Sequence, residues 1–327
     1  MPSPLSTARR STARRSAAPR RAARRRTAST VAALLALGVL AGCGEDKQDE
    51  AGPRAPASDA PTTGASADAS MSSEPTQGTS ASASRSADEG TAVPAYYVGE
   101  TPQGDRLYRE FTRASGTDPL VAAAAAVTEG DPVDPDYRTL WPGGRLTSVT
   151  EKTDAIVVEV PDESWLQAGD LSRKQAVLAV QQLVYTLQGA AGKRLPLQVV
   201  YDGRPAATLL GIDASKGLRA RPELDVLALV SVTEPADGTA VGDSFVAEGR
   251  ASSFEGTVVW EIKDPAGKVV LDGSAQTDGW DKLYPWRSTV STTSLDPGDY
   301  TFVARTDDPS DGEGPGPTED TKRIKVQ

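Results

Sequence analysis

Apolar and polar positions along the chain fall into three regimes. From Gly44 to about Ala92 the residues are mostly Ser, Ala, Thr, Gly, Pro, Asp and Glu, with Met71 and scattered alanines as the apolar content. Such a stretch cannot bury enough surface to offset the entropy of ordering it, and it reads as a disordered tether. About 50 residues of this composition have an r.m.s. reach of about 40 Å. From Val93 to Arg221 strand and helix periods alternate. Ala95–Val98 and Arg106–Phe111 read as strands around a turn at Gly99–Gly104, and Asp118-Pro119 opens a short helix through Val127. Leu146–Thr150 and Ala155–Val160 alternate as strands, with Ile156, Val158 and Val160 on one face. Ser172 and Gln175 form a capping box, after which Val177, Val180, Leu183, Val184 and Leu187 recur at helical spacing and predict a helix packed by one face on a sheet. Leu197–Tyr201, the Asp202-Gly203 turn and Pro205–Leu210 predict a hairpin.

From Pro222 onward the pattern is strand throughout, with no convincing helix: Val226–Val232, Phe245–Arg250, Thr257–Ile262, Val269–Leu271, Arg287–Thr292, Tyr300–Arg305 and Arg323–Val326. Turn sequences separate them at Glu234–Gly238, Asp264–Gly267 and Asp296–Asp299. The fold class expected is an α/β sandwich domain, a mixed sheet with two helices, followed by an all-β immunoglobulin-like sandwich. The corresponding segments are 1–42, a signal peptide; 43–93, a lipid anchor and disordered linker; 94–221, the α/β domain; and 222–327, the β-sandwich.

Composition narrows the chemistry. The 327 residues include no histidine and one cysteine, which excludes His-based triads, histidine metal ligands, an intramolecular disulfide and multi-thiolate zinc sites. No lysine follows a serine by three positions, and Gly192-Lys193 and Gly267-Lys268 lack the upstream glycine of a phosphate-binding loop. The expectation is that the protein is not an enzyme; the chemistry left open is a carboxylate pair of the kind wall hydrolases use, among 45 acidic residues.

The leader sets an expectation for where these domains reside. Nine arginines between Arg9 and Arg26 precede an apolar run, Ala28–Gly42, too short to span a bilayer. The run ends in Leu40-Ala41-Gly42-Cys43, which resembles a bacterial lipobox. The resemblance implies cleavage before Cys43, its acylation with palmitate-type chains, and residence on the outer face of the cytoplasmic membrane. Export by the Sec or twin-arginine route is left open. Without the leader the chain has 26 basic against 45 acidic residues, a net charge of −19, which argues against nucleic acid and anionic lipid headgroups as direct partners.

Further residues support a family resemblance. Pro94-Ala-Tyr-Tyr-Val-Gly-Glu100, Leu107-Tyr-Arg-Glu110, Pro135-Asp-Tyr-Arg138, Trp141-Pro-Gly-Gly-Arg-Leu146 and Gln181-Gln-Leu-Val-Tyr-Thr-Leu187 together resemble the GerMN domain of sporulation and germination proteins. Val232–Gly238, Phe254–Glu261 and Asp308–Gly314 resemble the immunoglobulin-like domain of bacterial spore germination that accompanies it. The resemblance implies a non-catalytic envelope lipoprotein that binds or scaffolds peptidoglycan or an envelope protein; an accessory role beside a sensor kinase is an alternative. No catalytic residues come with it.

Two groups are candidates for binding. Trp280, Tyr284 and Trp286 fall within seven residues, and aromatic faces in a loop stack on sugar rings or fill a partner's pocket; the competing reading places Trp286 and Tyr284 in the sandwich core. Asp307, Asp308, Asp311 and Glu313 crowd a Gly- and Pro-rich loop, a set of carboxylates that suits calcium although the spacing is not that of an EF-hand.

Overall fold

The computed structural model describes residues 91–114, 118–308 and 313–327; the signal segment and nearly all of the expected tether lie outside the described residues. The first domain opens with a hairpin, β1 (Thr91–Gly99) and β2 (Arg106–Ala114), antiparallel and in register from Thr91↔Ala114 to Gly99↔Arg106. Helix α1 (Pro119–Thr128) follows, capped by the Asp118 carboxylate, which accepts from the N–H groups of Leu120 and Val121. The first strand starts inside the segment assigned to the linker because Val93 packs on Ala123 of α1 and is fully buried.

The sheet of this domain has four strands in the order β3 (Ser148–Glu151), β4 (Ile156–Glu159), β5 (Leu197–Tyr201) and β6 (Arg204–Pro205). β4 and β5 are parallel and the outer pairs antiparallel, so the sheet is mixed. Between β4 and β5 runs α2 (Arg173–Ala191), which begins at the expected Ser172–Gln175 capping box and stops at Gly192, whose φ of 63° lets the last turn close. The hairpin arm expected over Pro205–Leu210 is a correction. Past Ala206, whose N–H still donates to Val199 C=O at 2.8 Å, the chain leaves the sheet and pairs with itself in β7 (Thr208–Leu209) and β8 (Ile212–Asp213).

A second correction concerns α2. The expected single buried face is in fact two, and every residue from Leu178 to Gln188 is buried. Val180, Leu183, Val184 and Leu187 pack against Ile156, Val158, Leu197 and the indoles of Trp141 and Trp165. Leu178 and Tyr185 pack on the opposite side against Tyr96, Val98 and Leu107 of the separate β1-β2 hairpin. Burying the polar positions as well is possible because each finds partners. Gln182 accepts from Leu140 N–H at 3.0 Å and donates to Tyr96 C=O at 3.1 Å, and Thr186 Oγ1 accepts from Tyr96 N–H at 2.9 Å.

A one-turn helix, α3 (Glu223–Val226), absent from the sequence reading, leads into the second domain. That domain comprises β9 (Val230–Glu234), β10 (Thr239–Val241), β11 (Ser244–Ala251), β12 (Thr257–Lys263), β13 (Val269–Gln276), β14 (Tyr284–Ser291), β15 (Gly298–Thr306) and β16 (Glu319–Val326). They form a five-stranded sheet, β10-β16-β15-β12-β13, and a three-stranded sheet, β14-β11-β9. This is the immunoglobulin-like sandwich, with β16-β15-β12 in one layer and β9-β11-β14 in the other; the short β10, parallel to β16, is an eighth strand the sequence reading missed. Each core tryptophan lies across from a glycine. Trp260 pairs with Gly273, where an added Cβ would sit 2.3 Å from the indole, and Trp286 pairs with Gly249. Among the described residues no helix is long and apolar enough to cross a membrane.

Candidate functional site

The densest arrangement of charged side chains lies where the two domains meet. The loop after α1 folds back on the hairpin: Glu110 accepts from the N–H groups of Val133 and Asp134, and Val98 and Arg138 exchange backbone hydrogen bonds at 2.8 and 2.9 Å. This holds Asp134 and Tyr137 toward the sandwich, with the Tyr137 ring stacked on Tyr108 at 5.0 Å. From the other side come Asp320 and Lys322, which occupy the core-facing positions of β16 in phase with Ile324 and Val326.

The four side chains saturate one another. The Lys322 ammonium donates to Asp134 Oδ2, to Tyr137 Oη at 2.7 Å and to Asp320 Oδ1 at 2.9 Å, using all three of its protons. Tyr137 O–H donates to Asp320 Oδ1 at 2.7 Å, and Asp320 Oδ2 accepts from Val232 N–H at 2.6 Å. Side-chain exposures are 5% for Lys322, 2% for Asp134 and 1% for Asp320. Around this core Tyr108 O–H donates to Glu319 C=O and Thr321 to Asp136. The chain crossing between domains is itself paired, Ala228 N–H donating to Leu107 C=O at 2.9 Å. An apolar contact completes the junction, with Leu283 packed among Leu178, Tyr185, Val226 and Leu227.

The electrostatics match a lock rather than a reactive centre. Burial pulls Lys322 downward, but Asp320 and Asp134 more than reverse it, so the ammonium holds its proton more tightly than a free lysine. Burial and the neighbouring carboxylates push Tyr108 and Tyr137 far up, keeping both phenols neutral. Burial also raises the carboxyls of Asp134 and Glu110, against the pull of Lys322. At neutral pH neither the lysine nor the tyrosines are poised to give up a proton. Two clefts flank the network, one of about 340 Å³ reaching Arg109, Arg113 and Glu234, and one of about 450 Å³ reaching Asp136 and Arg138.

The residues singled out from the sequence lie elsewhere. Trp286 is buried, its indole N–H donating to Ser231 C=O at 3.2 Å, so it belongs to the core and does not share a surface with the other two aromatics. Tyr284 is half-buried on β14 with its hydroxyl on Asp281 at 2.7 Å. Trp280 is 50% exposed, its ring 5.1 Å from that of Phe254, which is 40% exposed. Asp307 and Asp308 stand at the end of β15 and Glu313 is exposed, while Asp311 lies outside the described residues, as do Leu40, Ala41, Gly42 and Cys43. Among the described residues no group of three or more His, Cys, Asp or Glu side chains is placed to hold a metal ion.

Sequence reasoning missed the junction network because it began the last strand at Arg323. Extending the alternation back two steps from Ile324 puts Lys322 and Asp320 at core positions. Two charges in phase with an apolar face are the signal that another domain covers them.

Comparison with known proteins agrees with this architecture. Residues 94–207 match the family described as sporulation and spore germination, and residues 229–313 match the immunoglobulin-like domain of bacterial spore germination. No curated protein matches the chain. Among solved structures, the tandem GerMN domains of the sporulation protein GerM from Bacillus subtilis are 12% identical over 63% of this chain and 64% of that one, with a TM-score of 0.33. CopC from Methylosinus trichosporium OB3b is 22% identical over 30% of this chain and 93% of its own, with a TM-score of 0.21. An endo-beta-1,4-mannanase from Thermotoga petrophila is 13% identical over 52% and 38%, with a TM-score of 0.24. TM-scores this low make all three likenesses without functional weight. Each folded domain thus carries a family match, the first to sporulation and spore germination and the second to the immunoglobulin-like domain of bacterial spore germination.

Proposed function

We propose that this protein is a non-catalytic envelope lipoprotein, acylated at Cys43 and held on the outer face of the cytoplasmic membrane, whose two domains act as one scaffold in contact with peptidoglycan or an envelope protein. The observation that carries the reading is the junction: Asp134 and Tyr137 of one domain and Asp320 and Lys322 of the other share a buried, fully hydrogen-bonded network. A network left half-satisfied is costly, so the domains hold a fixed relation and present their surfaces in register, as a scaffold requires. The leader and Leu40-Ala41-Gly42-Cys43 support the membrane location. The absence of histidine and the saturation of the buried carboxylates support a non-catalytic role. Metabolic labelling with palmitate tests the anchor: label on the wild-type chain, lost in Cys43→Ser, is the expected result, and equal labelling of both refutes it. Incubation with purified wall tests the rest; release of soluble fragments would make the protein a hydrolase instead.

A further inference from the structure

On another part of the domain junction lies an open cleft of about 940 Å³, lined by Arg194, Arg219 and Arg221 of the first domain and by Arg250 and Lys282 of the second. Five cations face three carboxylates, Glu223, Asp225 and Asp281, so the cleft is net positive in a chain with 45 acidic and 35 basic residues. Glu223 neutralises part of the set, pairing with Arg194 at 2.9 Å and Arg250 at 3.3 Å. Arg219 and Arg221 are exposed, and among the described residues no carboxylate lies within ion-pair distance of either. Their backbone is nevertheless held firmly from below. Buried Gln181 donates to Arg219 C=O at 3.1 Å and accepts from Arg221 N–H at 2.8 Å, and the buried Tyr185 hydroxyl donates to Arg221 C=O at 2.6 Å. Two unneutralised guanidinium groups therefore stand on a fixed base at the rim.

The opposite rim is also pinned. Arg250 donates to Leu283 C=O, Ser252 Oγ to Trp280 C=O, and the Lys282 ammonium lies 4.9 Å over the Tyr284 ring. The same short loop that gives Lys282 to the cleft thus carries Trp280, half-exposed beside Phe254. Exposed aromatic faces stack on the C–H faces of sugar rings, and guanidinium forks pair with planar carboxylates. In a molecule of net negative charge, the two guanidinium groups without an ion-pair partner give an anionic polymer a local place to dock.

We propose that the Arg219–Arg221 cleft and the Phe254–Trp280 pair form one docking surface for an anionic glycan, the peptidoglycan strand with its peptide carboxylates. This rests on the wall-contact reading above and assigns it a surface and a ligand chemistry.

The test uses the full chain with Cys43→Ser, kept in mild detergent and sedimented with sacculi stripped of phosphodiester polymers. The wild-type surface is expected to give saturable retention that weakens with salt. Arg219→Glu with Arg221→Glu is expected to lower affinity about tenfold or more, a tenfold change being about 1.4 kcal/mol, and Trp280→Ala to lower it at least about fivefold. All three residues are exposed, so thermal midpoints should not move. If the parent chain is retained and both variants bind equally well, the surface is wrong while wall contact stands. If the parent chain is not retained at all, wall contact falls too and a protein partner takes its place. Retention only on unstripped sacculi would overturn the peptidoglycan source in favour of a phosphodiester polymer.

Discussion

Replacing Lys322 with methionine probes the domain junction most sharply. The variant keeps the length and apolar stem of the side chain but deletes the ammonium that donates to Asp134, Tyr137 and Asp320. Two carboxylates with side-chain exposures of 2% and 1% then face each other without a cation. Removing one partner of a buried ion pair costs about 3–5 kcal/mol, a large part of the roughly 5–15 kcal/mol by which a folded domain is stable. Guanidinium unfolding at pH 7, followed by both tryptophan fluorescence and circular dichroism, should show that loss. Because two of the network groups come from each domain, the single transition expected of the parent chain should separate into two. The cost should shrink in acid, since burial already raises the Asp134 carboxyl and without Lys322 it rises further. The folded variant then binds more protons than the unfolded chain, so its stability grows as pH falls through the carboxylate range. The triple variant Asp134→Asn, Asp320→Asn, Lys322→Met should recover much of the loss. A cost below about 1 kcal/mol for Lys322→Met at pH 7 would refute the assignment of this network as the interdomain lock.

Other consequences are equally direct. Gly273→Ala places a methyl group 2.3 Å from the Trp260 indole, and the overpacking should cost about 1–3 kcal/mol in chemical denaturation. Trp286→Ala should cost about 3–5 kcal/mol by emptying a core position, whereas Trp280→Ala should change stability by less than about 0.5 kcal/mol; thermal melts of the pair distinguish them. Tyr108, Tyr137 and Lys322 hold their protons in the folded state above the ordinary values of 10.0 for tyrosine and 10.5 for lysine. The stability they contribute is full below pH 10 and is lost as pH rises from there, so phenolate absorbance should show these tyrosines ionising only together with alkaline unfolding.

How much of this was legible in the sequence depends on whether a signal is local. The capping box at Ser172, the Asp118-Pro119 helix start and the turn at Asp202-Gly203, with φ of 50° and 69°, are chemistry within a few residues, and all three appear as expected. The alternation of Ile156, Val158 and Val160 likewise gives the inward face of β4. The second buried face of α2 was not legible, because Gln181, Gln182, Thr186 and Gln188 are polar and their burial depends on backbone partners up to 90 residues away. The junction network was hidden for the same reason: Asp134 and Lys322 are 188 residues apart. Trp286 and Trp280 are adjacent in the sequence pattern, yet strand alternation sends one into the core across from Gly249 and the loop leaves the other exposed.

The wall-contact form of the proposal, a non-catalytic scaffold held against peptidoglycan, meets its most direct test in sedimentation of the full chain carrying Cys43→Ser with purified peptidoglycan sacculi, with the supernatant assayed for released fragments. Saturable retention without release is the result expected. No retention at any protein concentration, or retention accompanied by steady release of soluble wall fragments, would contradict it.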